Sequence, residues 1–203
     1  MGKLVYGFGV NDAIYSVHST LNKYHQKCPY YKKWESMLYR CYSKAYQKTR
    51  PTYAGCTVCK EWSSFTKFKE WMKNQNWEGN DLDKDLMVSG NKIYSPDTCI
   101  FVSPKLNLLM LASGAARGNL PIGVNFNKKT GRIQSRIKKD GKEKWLGVFS
   151  TAMDAHKAWQ KEKILIITEA AKKETDVRLI FALTRIANKI KDDLNMGIET
   201  KSF

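Results

Sequence analysis

The chain has 203 residues, with 35 Lys and Arg against 19 Asp and Glu, for a formal net charge of +16. Its 42% hydrophobic and 12% aromatic residues exclude a disordered polybasic tail, and its length allows one compact domain or two small ones. The apolar stretches at 106–112 and 164–167 fall far short of the ~20 residues of a membrane span, so the positive excess points to a polyanion, nucleic acid first, and away from a bilayer.

Residues 1–27 show no sustained period and read as an extended arm or loop. The start lacks the long apolar core of a secretory signal, and the cysteine count of five is odd. A cytoplasmic protein with reduced or metal-bound thiols is the expectation. Tyr31, Trp34, Met37, Leu38 and Cys41 recur at three and four, which predicts a helix from Tyr30 to about Ser43. Beyond Pro51, Cys56-Thr-Val-Cys59 reads as a short strand or knuckle. Trp62, Phe65, Phe68, Trp71 and Met72 resume the helical period until Gly79-Asn80.

The run 82–88 is strand-like, Ser89-Gly90-Asn91 is a turn signal, and Ile93-Tyr94 and 99–102 follow as β-rich pieces. Ser103-Pro104 offers an N-cap and first position for a helix carrying Leu106, Asn107, Met110 and Leu111. The small, Gly- and Pro-bearing stretch 113–121 predicts a linker between a domain at 28–112 and a second at 122–172. In the second domain, 122–127, 131–138 and 144–149 predict three strands, with Gly131 and Gly141 in the joints. Ser150 is the expected cap of the next helix. The segment 173–203 reads as an amphipathic helix whose last residues fray. The expected class is α+β.

Two constellations carry chemistry. Asp83 on a strand and Asn107 on a helix, 24 positions apart, are hard oxygen donors of the kind that Mg2+ or Mn2+ takes. By spacing alone they also read as a charged strand edge and a polar helix position. Across 123–147 there are eight Lys/Arg and two Asp/Glu, a local charge of +6. Strand alternation would turn Ile133, Ser135 and Ile137 toward a helix and Arg132, Gln134, Arg136 and Lys138 outward. A basic strand face of this kind suits the DNA major groove. Cys56-x-x-Cys59 has the spacing of a structural Zn2+ knuckle, which Cys28, Cys41 or Cys99 could complete. A single CxxC is equally the mark of small buried thiols, and that bland alternative is preferred. His18, His25 and His156 show no ligand spacing and read as surface or half-buried residues.

The stretch from about 30 to 107 resembles the HNH endonucleases of bacteriophages. The resemblance rests on Trp34-x-x-Met37-x-x-Arg40-Cys41-Tyr42, Val58-Cys59-x-Glu61-Trp62, Leu82-Asp83-Lys84-Asp85, Gly90-Asn91-x-x-Tyr94-Ser95-Pro96-x-x-Cys99 and the Asn107 helix. It implies a ββα-metal core in which Asp83 and Asn107 hold a divalent Mg2+ or Mn2+ and Lys84 occupies the place of the general-base His. It also sets Thr98 where a bracing Asn is usual, with Asn91 nearby as a substitute. The stretch 120–171 is similar to an AP2 (ERF-type) DNA-binding domain, through Gly123-Val124-x-x-Asn127, Gly131-Arg132-x-x-Ser135-Arg136-Ile137 and Trp145-Leu146-Gly147-x-Phe149-x-Thr151-x-x-x-Ala155-x-x-Ala158-Trp159. That resemblance implies a three-stranded sheet on one helix, reading double-stranded DNA with Asn125, Asn127, Arg136, Lys138 and Trp145. Asn125 and Asn127 replace arginines of plant members and Glu143 replaces a basic residue, so the plant base preference does not transfer.

Together the two resemblances imply a phage-type endonuclease acting in the host cytoplasm, with Asp83, Lys84 and Asn107 as catalytic residues. The alternative is a catalytically impaired DNA-binding or host-interaction protein, and Lys84 separates the two: a protonated lysine cannot serve as the base that histidine provides.

Overall fold

The computed structural model describes residues 4–19, 26–110 and 118–202. The fold is α+β, with six α-helices among the described residues and several small sheets, one of them three-stranded and antiparallel. The chain divides into two compact units, Met1–Pro104 and Lys105–Phe203. The expected linker at 113–121 lies mostly outside the described residues.

In the first unit, α1 (Pro29–Tyr42) buries Tyr31, Trp34, Met37, Leu38 and Cys41, the apolar face that the periodicity predicts. Pro29 supplies a first-turn residue with no N–H to satisfy. Ser43 leaves the helix in extended conformation, and its hydroxyl accepts from the Tyr46 N–H to start α2 (Lys44–Thr49). The second aromatic run forms a short 3-10 turn over Glu61–Ser63 and then α3 (Phe65–Lys73), capped by Ser64. Trp34, Trp62, Phe65, Phe68 and Met72 are sealed in one core, with the Trp34 indole N–H donating 2.8 Å to the Trp62 carbonyl. The arm preceding α1 carries a short antiparallel pair, β1 (His18–Ser19) with β2 (Gln26–Lys27), and packs into this unit. Val17 is buried, and the Asp12 carboxylate accepts from the Thr66 N–H and from the Ser64 and Thr66 hydroxyls.

Two short pairings complete the unit. Here β3 (Thr57–Val58) runs parallel to β5 (Ile93–Tyr94), and β4 (Asp81–Asp83) runs antiparallel to β6 (Ile100–Val102), with Asp83 opposite Ile100. The strand expected over 82–88 therefore stops at Asp83. Its Oδ1 accepts the N–H groups of Asp85 (2.9 Å) and Leu86 (2.7 Å), which turns the chain out of the ladder. After β6 comes α4 (Pro104–Leu109), which starts at the expected proline.

In the second unit, β7 (Val124–Asn127), β8 (Arg132–Lys139) and β9 (Lys142–Phe149) form an antiparallel sheet in that order. Both joints turn on glycine at positive φ, 66° at Gly131 and 77° at Gly141. The sheet lies against α5 (Ala152–Ala171) through Ile122, Ile137, Trp159 and Ile166. The cap of α5 is Thr151, whose hydroxyl accepts from the Asp154 N–H, one residue beyond the expected Ser150. The amphipathic α6 (Val177–Asn195) buries Leu179, Ala182, Leu183, Ile186 and Ile190.

The end of the chain does not fray through Thr200. That residue is fully buried, donates its N–H to His156 Nε2 (3.0 Å), donates its hydroxyl to Asp193 (2.8 Å) and accepts from Gln160 (3.0 Å). His156, read as a surface or half-buried residue, is in fact completely enclosed, with Nδ1 on the Ile122 carbonyl at 2.8 Å. It is a core histidine whose two ring nitrogens tie the tail and the β7 approach to α5.

Candidate nucleic-acid interface and metal-ligand positions

The sheet register decides which side chains share a face. Asn125 is opposite Gln134, which is opposite Val148; Asn127 is opposite Arg132; Arg136 is opposite Trp145; Lys138 is opposite Glu143. Asn125, Asn127, Arg132, Arg136, Lys138 and Trp145 thus lie together on the face away from α5, while Ser135 and Ile137 are buried beneath. On β9 the alternation breaks, because a bulge at Ser135/Arg136 inserts Leu146 between the pairs. Trp145 and Val148, three residues apart, therefore come to the same side, 51% and 45% exposed.

The face has internal order. The Arg136 guanidinium donates to Glu143 at 2.8 Å and to Gln134 Oε1 at 3.1 Å, and lies 5.5 Å from the Trp145 ring centroid. Gln134, expected to project outward, is only 5% exposed, because Arg136 and the flanking strands cover it. Asn127 spends its Oδ1 on the N–H groups of Lys129 and Thr130 in the turn and keeps only its amide NH2 for a ligand. Arg132, Arg136 and Lys138 against Glu143 leave the face positive.

In the first unit, Asp83 uses Oδ1 to turn the chain, and Oδ2 has no protein partner among the described residues. Burial, and then the charge of Asp85, hold its carboxyl above the ordinary value against the pull of the two N–H groups and Lys84. Lys84 is 6% exposed and faces inward, donating to Asp85 Oδ2 at 2.9 Å and to the Asn91 carbonyl at 3.0 Å. Burial acts to lower its proton affinity, but the hydrogen bond and charge of Asp85 outweigh that, and the net shift is upward. Lys84 is an ammonium with two acceptors already engaged, which disqualifies it as a base near neutral pH.

Asn91 braces this loop, with Nδ2 on the carbonyls of Lys84 (2.6 Å) and Ile93 (2.7 Å) and Oδ1 accepting from the Ile93 N–H. The Thr98 hydroxyl adds a bond to the Ile93 carbonyl at 2.9 Å. Asn107 lies half-buried on α4, in the second unit. The Asp83 carboxylate oxygen and the Asn107 amide oxygen are each a hard donor of the kind that Mg2+ or Mn2+ takes.

The thiols behave as core. Cys41, Cys56 and Cys99 are buried, Cys28 and Cys59 pack against the same cluster, and all five are free. Burial pushes the Cys41 and Cys99 thiols up to about 12 and raises Cys59 as well. Among the described residues no group of three or more His, Cys, Asp or Glu side chains is placed to hold a metal. No helix among them is long and apolar enough to cross a membrane.

Val148 on the sheet face escapes a strand-by-strand reading, since β9 faces are assigned only once the bulge is known. A scan against models of known protein families gives no match for this chain, and comparison with curated proteins and with solved structures gives none either.

Proposed function

We propose that this protein binds duplex DNA through the open face of the β7–β8–β9 sheet. The observation that carries this reading is the register, which gathers Asn125, Arg132, Arg136, Lys138 and Trp145 onto the one sheet face that α5 leaves uncovered. Arg and Asn offer paired donors and acceptors to base edges, Lys138 a point charge to phosphate, and Trp145 an apolar surface for a base or sugar. Arg136→Ala is expected to weaken binding to a selected duplex by ~1–3 kcal/mol, whereas Lys138→Ala weakens every duplex alike and lowers the salt slope by about one. Glu143→Gln, which removes a carboxylate from the face, should tighten binding. Fluorescence anisotropy against salt concentration measures all three, and unchanged affinity in Arg132→Ala, Arg136→Ala and Lys138→Ala together would refute the sheet as the interface.

The proposal extends to phosphodiester hydrolysis by the HNH-like stretch, for which the resemblance implies Asp83 and Asn107 as ligands of Mg2+ or Mn2+. Such an ion, when bound, supplies Lewis acidity toward a phosphate oxygen and acidifies a coordinated water. Lys84 contributes fixed positive charge near Asp83 and takes no proton. The alternative, a catalytically impaired DNA-binding or host-interaction protein, gains weight from the Lys84–Asp85 ion pair, which leaves the loop without a base. Relaxation of supercoiled plasmid in Mg2+ or Mn2+ separates them. Asp83→Asn is the informative variant, because an amide oxygen still accepts the Asp85 and Leu86 N–H groups while the ligand charge is gone. An endonuclease loses cleavage in Asp83→Asn and in Asn107→Ala with DNA binding intact. No cleavage of the selected target by the wild type assigns the impaired alternative.

A further inference from the structure

Arg40 belongs to the Trp34-x-x-Met37-x-x-Arg40-Cys41 run, whose other members are core residues. Neither proposed activity uses it. It stands in the last turn of α1, where a basic side chain commonly serves the exposed carbonyls, but here those carbonyls have another donor. Gln47 Nε2 reaches the Cys41 carbonyl at 2.6 Å and the Arg40 carbonyl at 3.4 Å, and the Ser43 N–H takes Tyr39.

The guanidinium itself is held between aromatic rings, 5.5 Å from the Tyr94 centroid and 5.9 Å from that of Tyr53. Its Nε is sealed from solvent and makes no hydrogen bond, and among the described residues no carboxylate pairs with it. The ionisable groups acting on it are Tyr94, Tyr53, Tyr46 and Cys41. Ring contacts orient a guanidinium but leave this Nε–H unfilled, and a half-buried cation without an anion is an incomplete arrangement. A second cation is near: Tyr53 and Cys41 each lie in the field of both Arg40 and Lys84. Lys84 is neutralised by Asp85. Arg40 is not.

We propose that Arg40, framed by Tyr53 and Tyr94, is a phosphate-binding site in the first unit, its planar fork taking two oxygens of a phosphate group. The planar pair of N–H donors matches that oxygen spacing, and Tyr53, a half-buried residue whose ring lies beside the guanidinium, carries a further hydroxyl donor. The phosphate is either a nucleic-acid phosphodiester or the free ion. This site is independent of the sheet and survives if the sheet reading fails.

The test uses the full chain with Nε-labelled arginine, the Arg40 signal being identified by its loss in Arg40→Lys. It is titrated with inorganic phosphate and, separately, with a short duplex on an Arg132→Ala/Lys138→Ala background that disables the sheet. The expected result is a selective, saturable shift of the Arg40 Nε–H signal. A shift with duplex assigns a nucleic-acid phosphate, and a shift with inorganic phosphate alone assigns the free ion. No shift with either probe, or an equal drift of all arginine signals, overturns the proposal. Arg40→Lys keeps the charge but loses the fork, so affinity for the shifting probe should fall by about tenfold, the loss of one charge-assisted hydrogen bond. If that variant fails to fold, the Arg40 signal is identified instead by its displacement in Tyr53→Leu, which removes one of the two rings beside the guanidinium, and the wild-type titration still decides.

Discussion

Replacing Gly123 with alanine is expected to destabilise the C-terminal unit by ~3–5 kcal/mol, the combined cost of a left-handed non-glycine residue and an overpacked core. Gly123 has φ of 78°, and a Cβ there would fall 2.0 Å from Trp159 Cδ1, 2.2 Å from Cγ and 2.7 Å from Cβ. Those are the root of the side chain, fixed to α5, so the ring cannot swing aside. Trp159 is 4% exposed and anchors the sheet to α5, and the Gly123 carbonyl also accepts from the buried Ser135 hydroxyl at 3.1 Å. The backbone of β7 approaches the helix closely because nothing projects from Gly123. Gly131→Ala is the control: φ is 66°, nothing lies within 4 Å of the added atom, and only the conformational penalty of ~1–2 kcal/mol remains. Urea unfolding followed by tryptophan fluorescence measures both, and equal losses in the two variants would mean that the close packing against Trp159 contributes nothing.

Such a contact is silent in the sequence, and the reason is general. The apolar rows of α1 and the in–out pattern of β8 are legible because a helix repeats every 3.6 residues and a strand every two, so burial writes itself into neighbouring positions. Tyr31, Trp34, Met37, Leu38 and Cys41 needed no further information. The parallel pairing of Thr57 with Ile93 joins segments far apart in the chain, and no local pattern encodes it. The end of β4 is set by which way one carboxylate points, since Asp83 Oδ1 on two N–H groups converts a strand-like run into a turn. The bulge that brings Trp145 and Val148 to one face adds a residue that alternation cannot anticipate.

The candidate sites divide along the same line. The basic face of the sheet is readable from β8 alone, because Arg132, Arg136 and Lys138 sit at alternate positions. Asp83 and Asn107 stand out only through resemblance to a family, and the inward turn of Lys84 toward Asp85 and Asn91 could not be read from a charged tripeptide. Polar tail residues look like fraying ends unless a buried partner such as His156 is known to await them.

Lys163 is a buried lysine on α5, and it makes stability depend on alkaline pH. It lies on α5 at 4% exposure, donates to the Leu109 carbonyl and stands 5.6 Å from the Trp159 ring centroid. Burial lowers its pKa from 10.5 to about 8. The unfolded chain then binds more protons than the folded one between those values, so stability rises with pH across that window. Below about pH 8 the ammonium is charged in both states and the full penalty of burying it applies; above about pH 10.5 it is neutral in both and the penalty is gone. The difference amounts to about 3 kcal/mol, of which the lost bond to the Leu109 carbonyl offsets ~1 kcal/mol in a variant that cannot ionise. Lys163→Met is therefore expected to be about 2 kcal/mol more stable than wild type at pH 7 and to lose that advantage by pH 10.5. Tyrosine ionisation at the alkaline end acts on both proteins and cancels in the comparison. Urea midpoints at pH 7, 8.5 and 10 give the result, and a wild-type-minus-variant difference that stays flat over this range would show that Lys163 titrates as an ordinary surface lysine.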